Sequence, residues 1–388
     1  MSRLFRFWSS LLPVRGVSVG NGSAPSQRLQ FTRNPSILSP KTEQSEGSSM
    51  QILITGITGR VGANVAKRFV DMGHDVAGFV VPGDPQIDKV AQAGAHIVEG
   101  DLASHADVRS AVEGAEAIFH LGAAFQAGGP FTPEQYFDIN VKGTFNILEA
   151  ALASDRVQHV IHTSTDATMD KYPPDGIEGP IREESLPLST TGWYGYTKVL
   201  TEHLVDRYVR AESLPATVFR FANAWGAGEA LDFGQFHMRT FIEQLERSDD
   251  PAGRAAYEAM SVAYDGDPHL IIAADRNGRT WKKHFVEVRD IVHAYENALS
   301  NRATFGNTYQ IASREPFVWD EMIPYIAEQL GAPYTRVNLP ITPTYYEYDL
   351  SASSRDFGYD PPLSLRDMID EAVAHRRTGA GSIIPTAF

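Results

Sequence analysis

Directly after the apolar stretch 50–55 the chain reads Thr55-Gly56-Ile57-Thr58-Gly59-Arg60-Val61-Gly62, three glycines each separated by two residues. A short continuous apolar run is what a parallel strand buried on both faces requires. Glycine lets the backbone turn tightly and approach a ligand, and a helix after it offers free N–H groups at the positive end of its dipole. Strand, glycine turn and helix together are the expected opening of a βαβ series that takes a pyrophosphate. The candidate contacts in this run are Gly56, Thr58, Gly59, Arg60, Val61 and Gly62.

The rest of the chain supports this opening. Residues 75–81, 95–98, 117–121, 159–163 and 216–221 repeat the apolar strand type, with helical segments between them. Residues 133–153 carry Val141, Phe145, Leu148 and Leu152 at helical steps, and a later helix carries Leu200, Leu204, Tyr208 and Ala211. Strands alternating with helices specify an α/β fold, a doubly wound parallel sheet of Rossmann type with right-handed crossovers. After Asn223 the rhythm loosens. Late strands at 270–273 and 285–288, with helices near 290–299, 318–330 and 364–376, predict a smaller C-terminal substrate-binding lobe. The expected organisation is a dinucleotide-binding domain over 50–225, a mixed lobe over 226–377 whose late elements return to the sheet, and a frayed tail over 378–388.

Composition narrows the partners. The 388 residues carry a formal charge of −14, which argues against nucleic acid or an acidic membrane and fits a small-molecule substrate. No apolar run approaches the roughly 20 residues that cross a bilayer. The chain has no cysteine, so thiolate catalysis and cysteine-bound metals are excluded; the histidines lack ligand spacing, and no metal site is expected. Residues 1–49 differ from the rest, with Arg3, Arg6, Arg15, Arg28, Arg33 and Lys41 against Glu43 and Glu46. Such a stretch reads as an organelle transit peptide or a disordered extension. The expected location is cytoplasmic unless this stretch acts as an address.

Further matches occur in order along the chain. Gly100-Asp101-Leu102 comes after the third strand, and His120-Leu121-Gly122-Ala123-Ala124 ends the fourth. Asn140-Val141-Lys142-Gly143-Thr144 lies in the helix after it, His162-Thr163-Ser164-Thr165 ends the fifth strand, and Tyr194-Gly195-Tyr196-Thr197-Lys198 gives Tyr-x-x-x-Lys. Arg220 to Gly226 and Phe285 to Asp290 complete the series. Over residues 50–330 this series resembles the extended branch of the short-chain dehydrogenase/reductase superfamily, which holds nucleotide-sugar epimerases and dehydratases. The resemblance implies NAD or NADP as cofactor, with Asp101 at the adenine and Leu102, Leu121, Ala123, Asn140, Tyr194 and Lys198 among the cofactor contacts. It implies Asp166, Asn223 and Lys283 on the substrate side, Lys283 near an Arg that many members use for substrate phosphates. It leaves room for a homodimer.

The chemistry suits these residues. Oxidising a hydroxyl requires removal of its proton as hydride leaves, and a free tyrosine with pKa ~10 is a poor base at neutral pH. A lysine ammonium four residues on, on the same helix face, favours the phenolate. Thr165 would polarise the same substrate oxygen, with Ser164 one register away. Tyr196 is the rival tyrosine, but Leu200 stands four residues after it. The expected catalytic residues are therefore Thr165, Tyr194 and Lys198. The expected function is hydride transfer to or from a secondary hydroxyl of a sugar, sugar nucleotide or related polyol. The alternative is an inactive dinucleotide-binding redox sensor or scaffold.

The sequence also departs from the family. The second strand ends Val80-Val81-Pro82 with no acid for a ribose diol, so weak discrimination is expected, with a lean to NAD. Asp166 precedes Ala167 where dehydratases keep a glutamate, and residues 169–191 and 228–268 are unlike the family's pattern.

Overall fold

The computed structural model describes residues 49–125 and 131–386. The expectations for residues 1–48 lie outside the described residues.

Seven strands form one wholly parallel sheet, in the order Thr308–Ile311, Ala216–Phe221, His159–Thr165, Ala117–His120, Gln51–Thr55, Asp75–Val80 and His96–Glu99. From the central strand Gln51–Thr55 the chain builds outward on one side, then crosses over and builds on the other. The strand order therefore reverses between Gln51–Thr55 and Ala117–His120, where a crevice opens beyond the carboxyl ends of the strands. Alternation along the strands feeds two layers. Ile52, Ile54, Phe119, Ile161 and Phe219 join one core, while Leu53, Ile118, Val160 and Val218 join the other.

Six of these strands match the sequence expectation within two residues. The seventh, Thr308–Ile311, has no sequence signal, because the fully buried polar Gln310 interrupts its apolar run. It comes from the C-terminal half and completes the sheet beside Ala216–Phe221.

Two expectations need correction. The expected stripe on residues 133–153 assumed an unbroken α-helix. Instead a π-helical turn, Phe137–Lys142, lies between helices Pro133–Tyr136 and Gly143–Ala153. The wider turn rotates the face of the second helix relative to the first. Ile147, Leu148 and Ala151 are buried, whereas Phe145 and Leu152 stand 42% and 40% exposed. The tail also does not fray over its described part. Ile383 is buried, Ile384 and Asn64 exchange two hydrogen bonds of 2.8 and 3.0 Å, and Lys89 Nζ donates to the Thr386 carbonyl at 2.9 Å.

The stretch 228–268 contains helices Met238–Leu245 and Pro251–Ala263. They pack on a third, strongly aromatic cluster that includes Trp225, Phe236, Phe241, Trp281, Phe285, Phe317 and Trp319. Trp225 stacks on Phe285 with ring centroids 4.0 Å apart. Among the described residues no helix is long and apolar enough to cross a membrane.

Candidate active site

The glycine turn lies at the strand-order reversal, and each glycine there answers a different demand. Gly56 has φ +68°, and a Cβ on it would sit 2.8 Å from Gly122 Cα across the crevice. A Cβ on Gly62 would sit 2.2 Å from the Gly56 carbonyl oxygen, so the turn itself closes only around a bare backbone. A Cβ on Gly59 meets nothing but the Gly56 oxygen at 3.2 Å, so the space before Gly59 is open. Gly59 caps the helix Arg60–Asp71 with no side-chain hydrogen bond, which leaves the helix dipole free to face an anion. These residues fit a dinucleotide's pyrophosphate.

That difference predicts a separation of effects. Gly62→Val is expected to lower the melting temperature of the ligand-free protein. Gly59→Leu is expected to melt like the parent yet lose about tenfold or more in dinucleotide affinity, roughly 1.4 kcal/mol. Calorimetry and thermal melts on both variants check this; an equal melting loss in the two would refute the assignment.

A buried relay of hydrogen bonds fixes the crevice walls. The Gly122 N–H donates to Thr55 Oγ1 at 2.9 Å; because Thr144 spends its own proton on a carbonyl and must accept from His120 Nε2, the Thr55 hydroxyl donates to Nδ1 of the neutral ring at 2.7 Å. His120 Nε2 then carries the proton toward Thr144 Oγ1 at 3.0 Å, and Thr144 donates to the Asn140 carbonyl at 2.6 Å. This tautomer is set by the partners. Burial and the charge of Lys198 hold the His120 pKa down to about 3, so it is a neutral structural link. Asn140 Oδ1 accepts from the Ala124 N–H at 2.7 Å while its Nδ2 donates to Thr197 Oγ1 at 2.9 Å. Asn140 thereby ties the segment after the fourth strand to the helix Trp193–Glu212.

That helix carries the expected catalytic side chains Tyr194 and Lys198. Thr165 ends strand His159–Thr165, and its hydroxyl acts on the Tyr194 phenol. Burial pushes the Tyr194 pKa up; the Thr165 hydroxyl opposes this, and the Asp166 charge adds to it. Phe125 meets the Tyr194 ring edge-on at 5.3 Å. One turn on, Lys198 is 3% exposed, and burial lowers its pKa to about 8 against the opposing pull of Glu202. Tyr196 is exposed. Ser164 is committed elsewhere, donating at 2.5 Å to Glu202, which also accepts from Arg220 Nε and Nη2.

The remaining expected residues spread around this centre. Leu102 packs against Gly122 and Gly143, whose added Cβ atoms would lie 2.9 and 3.0 Å from it. Leu121 and Ala123 are half-buried in the segment after the fourth strand. Asp101 is exposed and accepts from the Ala103 N–H at 2.8 Å. Val61 is half-buried in the first turn of helix Arg60–Asp71. Arg60 does not stand free: its Nε pairs with Glu229 at 2.5 Å and its Nη1 reaches the Ala224 carbonyl at 3.3 Å. Asn223 is exposed, in a strand paired with Phe285–Glu287. Asp166 and Lys283 are both buried, in one cluster with Lys171.

Sequence reasoning missed Asp84 and Lys171. Asp84 lies four residues past the second strand, yet its Oδ2 accepts from Thr58 Oγ1 of the glycine turn at 2.7 Å. An acid in that loop was the available signal, hidden by the Pro82-Gly83 turn. Lys171 carried no signal, because its partner Asp166 is reached only through a short helical turn, Asp166–Thr168.

Comparison with known proteins identifies a family. A family model described as the NAD dependent epimerase/dehydratase family matches residues 52–312. The chain is 26% identical over 356 residues to a 2-alkyl-3-oxoalkanoate reductase of Stenotrophomonas maltophilia, covering 82% of this chain and 97% of that protein. It is 27% identical over 309 residues to a UDP-glucose 4-epimerase of Streptomyces lividans, covering 75% of this chain and 84% of that one. A solved short-chain dehydrogenase/reductase superfamily protein from Agrobacterium tumefaciens, with bound NAD, superposes with a TM-score of 0.72 at 29% identity. That match covers 85% of this chain and 98% of the other.

Proposed function

The chain belongs to the NAD-dependent epimerase/dehydratase family, and we propose that it moves a hydride to or from a secondary hydroxyl of a sugar, sugar nucleotide or related polyol. The observation that carries this reading is Tyr194 one helical turn from buried Lys198, with Thr165 close enough to lower the phenol's pKa, beside a glycine-walled crevice. When bound, NAD(P) supplies the hydride acceptor or donor. Tyr194 holds or releases the hydroxyl proton, Thr165 orients the substrate oxygen, and the Lys198 ammonium favours the phenolate. Gly56, Gly59 and Gly62 with the first turn of helix Arg60–Asp71 take the pyrophosphate. The lobe formed after Asn223 takes the rest of the substrate.

Incubating the protein with a panel of sugars and both cofactors tests this, with reduced nicotinamide absorbance and product stereochemistry as readouts. Net reduction identifies a dehydrogenase, and inversion without net reduction an epimerase. Neither outcome across the panel, with cofactor bound, overturns the reading.

We also assign the cofactor preference to NAD. Asp84, bonded to Thr58 of the glycine turn, would accept from a ribose diol and repel a 2′-phosphate. Arg60, which could otherwise pair with that phosphate, is engaged by Glu229. NAD is expected to bind at least about tenfold more tightly than NADP, and Asp84→Ser to narrow the ratio. An NADP preference that disappears in Arg60→Ala would instead assign Arg60 to the 2′-phosphate.

A further inference from the structure

The segment after helix Leu365–Thr378 runs back over the first βαβ unit and touches both sides of the glycine turn. The helix ends at Gly379, whose φ is +68°, and the Ser382 N–H then donates to Glu371 at 2.8 Å. Ile383 is buried. The Ile384 N–H donates to Asn64 Oδ1 at 2.8 Å, and its carbonyl accepts from Asn64 Nδ2 at 3.0 Å. Asn64 stands one turn after Arg60, in the helix whose first turn faces the pyrophosphate site.

Beyond this anchor the tail engages two cations. Lys89, 3% exposed in the short helix Ile87–Ala91, donates from Nζ to the Thr386 carbonyl at 2.9 Å and the Pro385 carbonyl at 3.4 Å. The charge of Asp84, the acid bonded to Thr58, acts on Lys89. The Thr386 hydroxyl donates to Glu229 Oε1 at 2.5 Å. Glu229 Oε2 pairs with Arg60 Nε at 2.5 Å and accepts from the Gly226 N–H at 2.8 Å. Thr386 alone thus links the bank holding Asp84 and Lys89 to the bank holding Glu229 and Arg60.

NADP differs from NAD by a 2′-phosphate, an anion that needs a cation beside the adenosine ribose. With the tail docked, carbonyls occupy Lys89 and a carboxylate held by Thr386 occupies Arg60. A neutral carbonyl is a weaker partner for an ammonium than a phosphate is, so a phosphate can displace it. Resting on the NAD assignment above, we propose that residues 382–386 are a latch for cofactor choice. Docked, the tail keeps a 2′-phosphate from Lys89 and Arg60; NADP binds only after Thr386 has left. Glu229 and Thr386 are positioning residues, because each acts through those two cations. The coupling is reciprocal: whatever affinity NADP loses to the docked tail, the tail loses to NADP.

The test measures NAD and NADP binding by calorimetry, and reads tail docking separately. In the full chain, hydrogen exchange at the Ile384 amide reports docking, because that N–H is held by Asn64. Saturating NADP is expected to speed this exchange about tenfold or more, and NAD to leave it unchanged or slower. A chain ending at Gly381 is expected to bind NADP about tenfold or more tightly than the full chain does, with NAD affinity within about threefold. Lys89→Met in that shortened chain should remove most of the gain. Thr386→Val keeps the side-chain shape and loses the donor, so a smaller gain for NADP, about threefold, is expected in the full-length protein.

An unchanged ratio of NAD to NADP affinity in the shortened chain, with a melt showing it folded, overturns the latch. So does an NADP gain that survives Lys89→Met combined with Arg60→Met, since the freed cations are then not its source. Ile384 exchange indifferent to saturating NADP overturns it without any variant. If loss of the tail unfolds the protein, the exchange measurement and Thr386→Val decide. Failure of the NAD assignment is separate: the full chain then binds both dinucleotides equally, and the latch stands or falls on whether NADP speeds Ile384 exchange. Binding of neither dinucleotide removes both readings.

Discussion

Tyr194→Phe is expected to lower kcat by roughly 10²–10⁴-fold, the range for a positioned proton-transfer group. The substitution removes one hydroxyl and leaves the ring that meets Phe125, so melting temperature and NAD affinity should hold. Tyr196→Phe should change little, because that side chain is exposed. The pH dependence gives a second readout. In the oxidative direction Tyr194 must lose its proton, and burial pushes its pKa up, so kcat should rise with pH. The Lys198 ammonium, present below its pKa of about 8, favours the phenolate. Lys198→Met should therefore lower kcat and move that rise to higher pH. Thr165→Val should cost less, since it removes one hydrogen bond and leaves the base. Near-normal turnover in Tyr194→Phe with loss in Tyr196→Phe would transfer the role to Tyr196.

Arg220→Met is expected to destabilise the fold by about 3–5 kcal/mol, the cost of stranding a buried charge. Arg220 and Glu202 are nearly buried, at 6% and 5% side-chain exposure, and meet at 2.6 Å. Glu202 also accepts from Ser164, and Arg220 Nη1 donates to the Glu183 carbonyl at 2.7 Å. Removing the guanidinium leaves the Glu202 carboxylate, one turn after Lys198 on helix Trp193–Glu212, without its arginine partner. The double variant Glu202→Met/Arg220→Met should recover much of the loss, because replacing both charges by apolar groups is often near neutral. Chemical denaturation of the two singles and the double gives the coupling energy. Additive losses would mean the pair is not the source.

The parts legible in sequence were those with a local physical cause. A strand that is apolar throughout, a turn that tolerates only glycine and a helix face that pairs Tyr194 with Lys198 each write their demand into adjacent residues. Hence the sheet, its first six strands and the glycine turn could be read directly. Where the helical period was interrupted the reading failed. The π turn at Phe137–Lys142 rotated the buried face, and nothing in the composition of that segment announced it.

Long-range pairing was legible only in part. Asp84 reaches Thr58 across 26 residues, Arg60 is claimed by Glu229 far along the chain, and Tyr348 meets Asp166 across 182 residues. Each of these contacts settles the partner of a charged group that its neighbours in the chain leave open. Sequence by itself determined the fold class and the spacing that sets Tyr194 and Lys198 on one helix face, because both depend on spacing along one strand or helix. Tertiary structure alone decided which charged groups neutralise one another, since neutralisation depends on distance and burial and neither is a property of neighbouring positions in the chain.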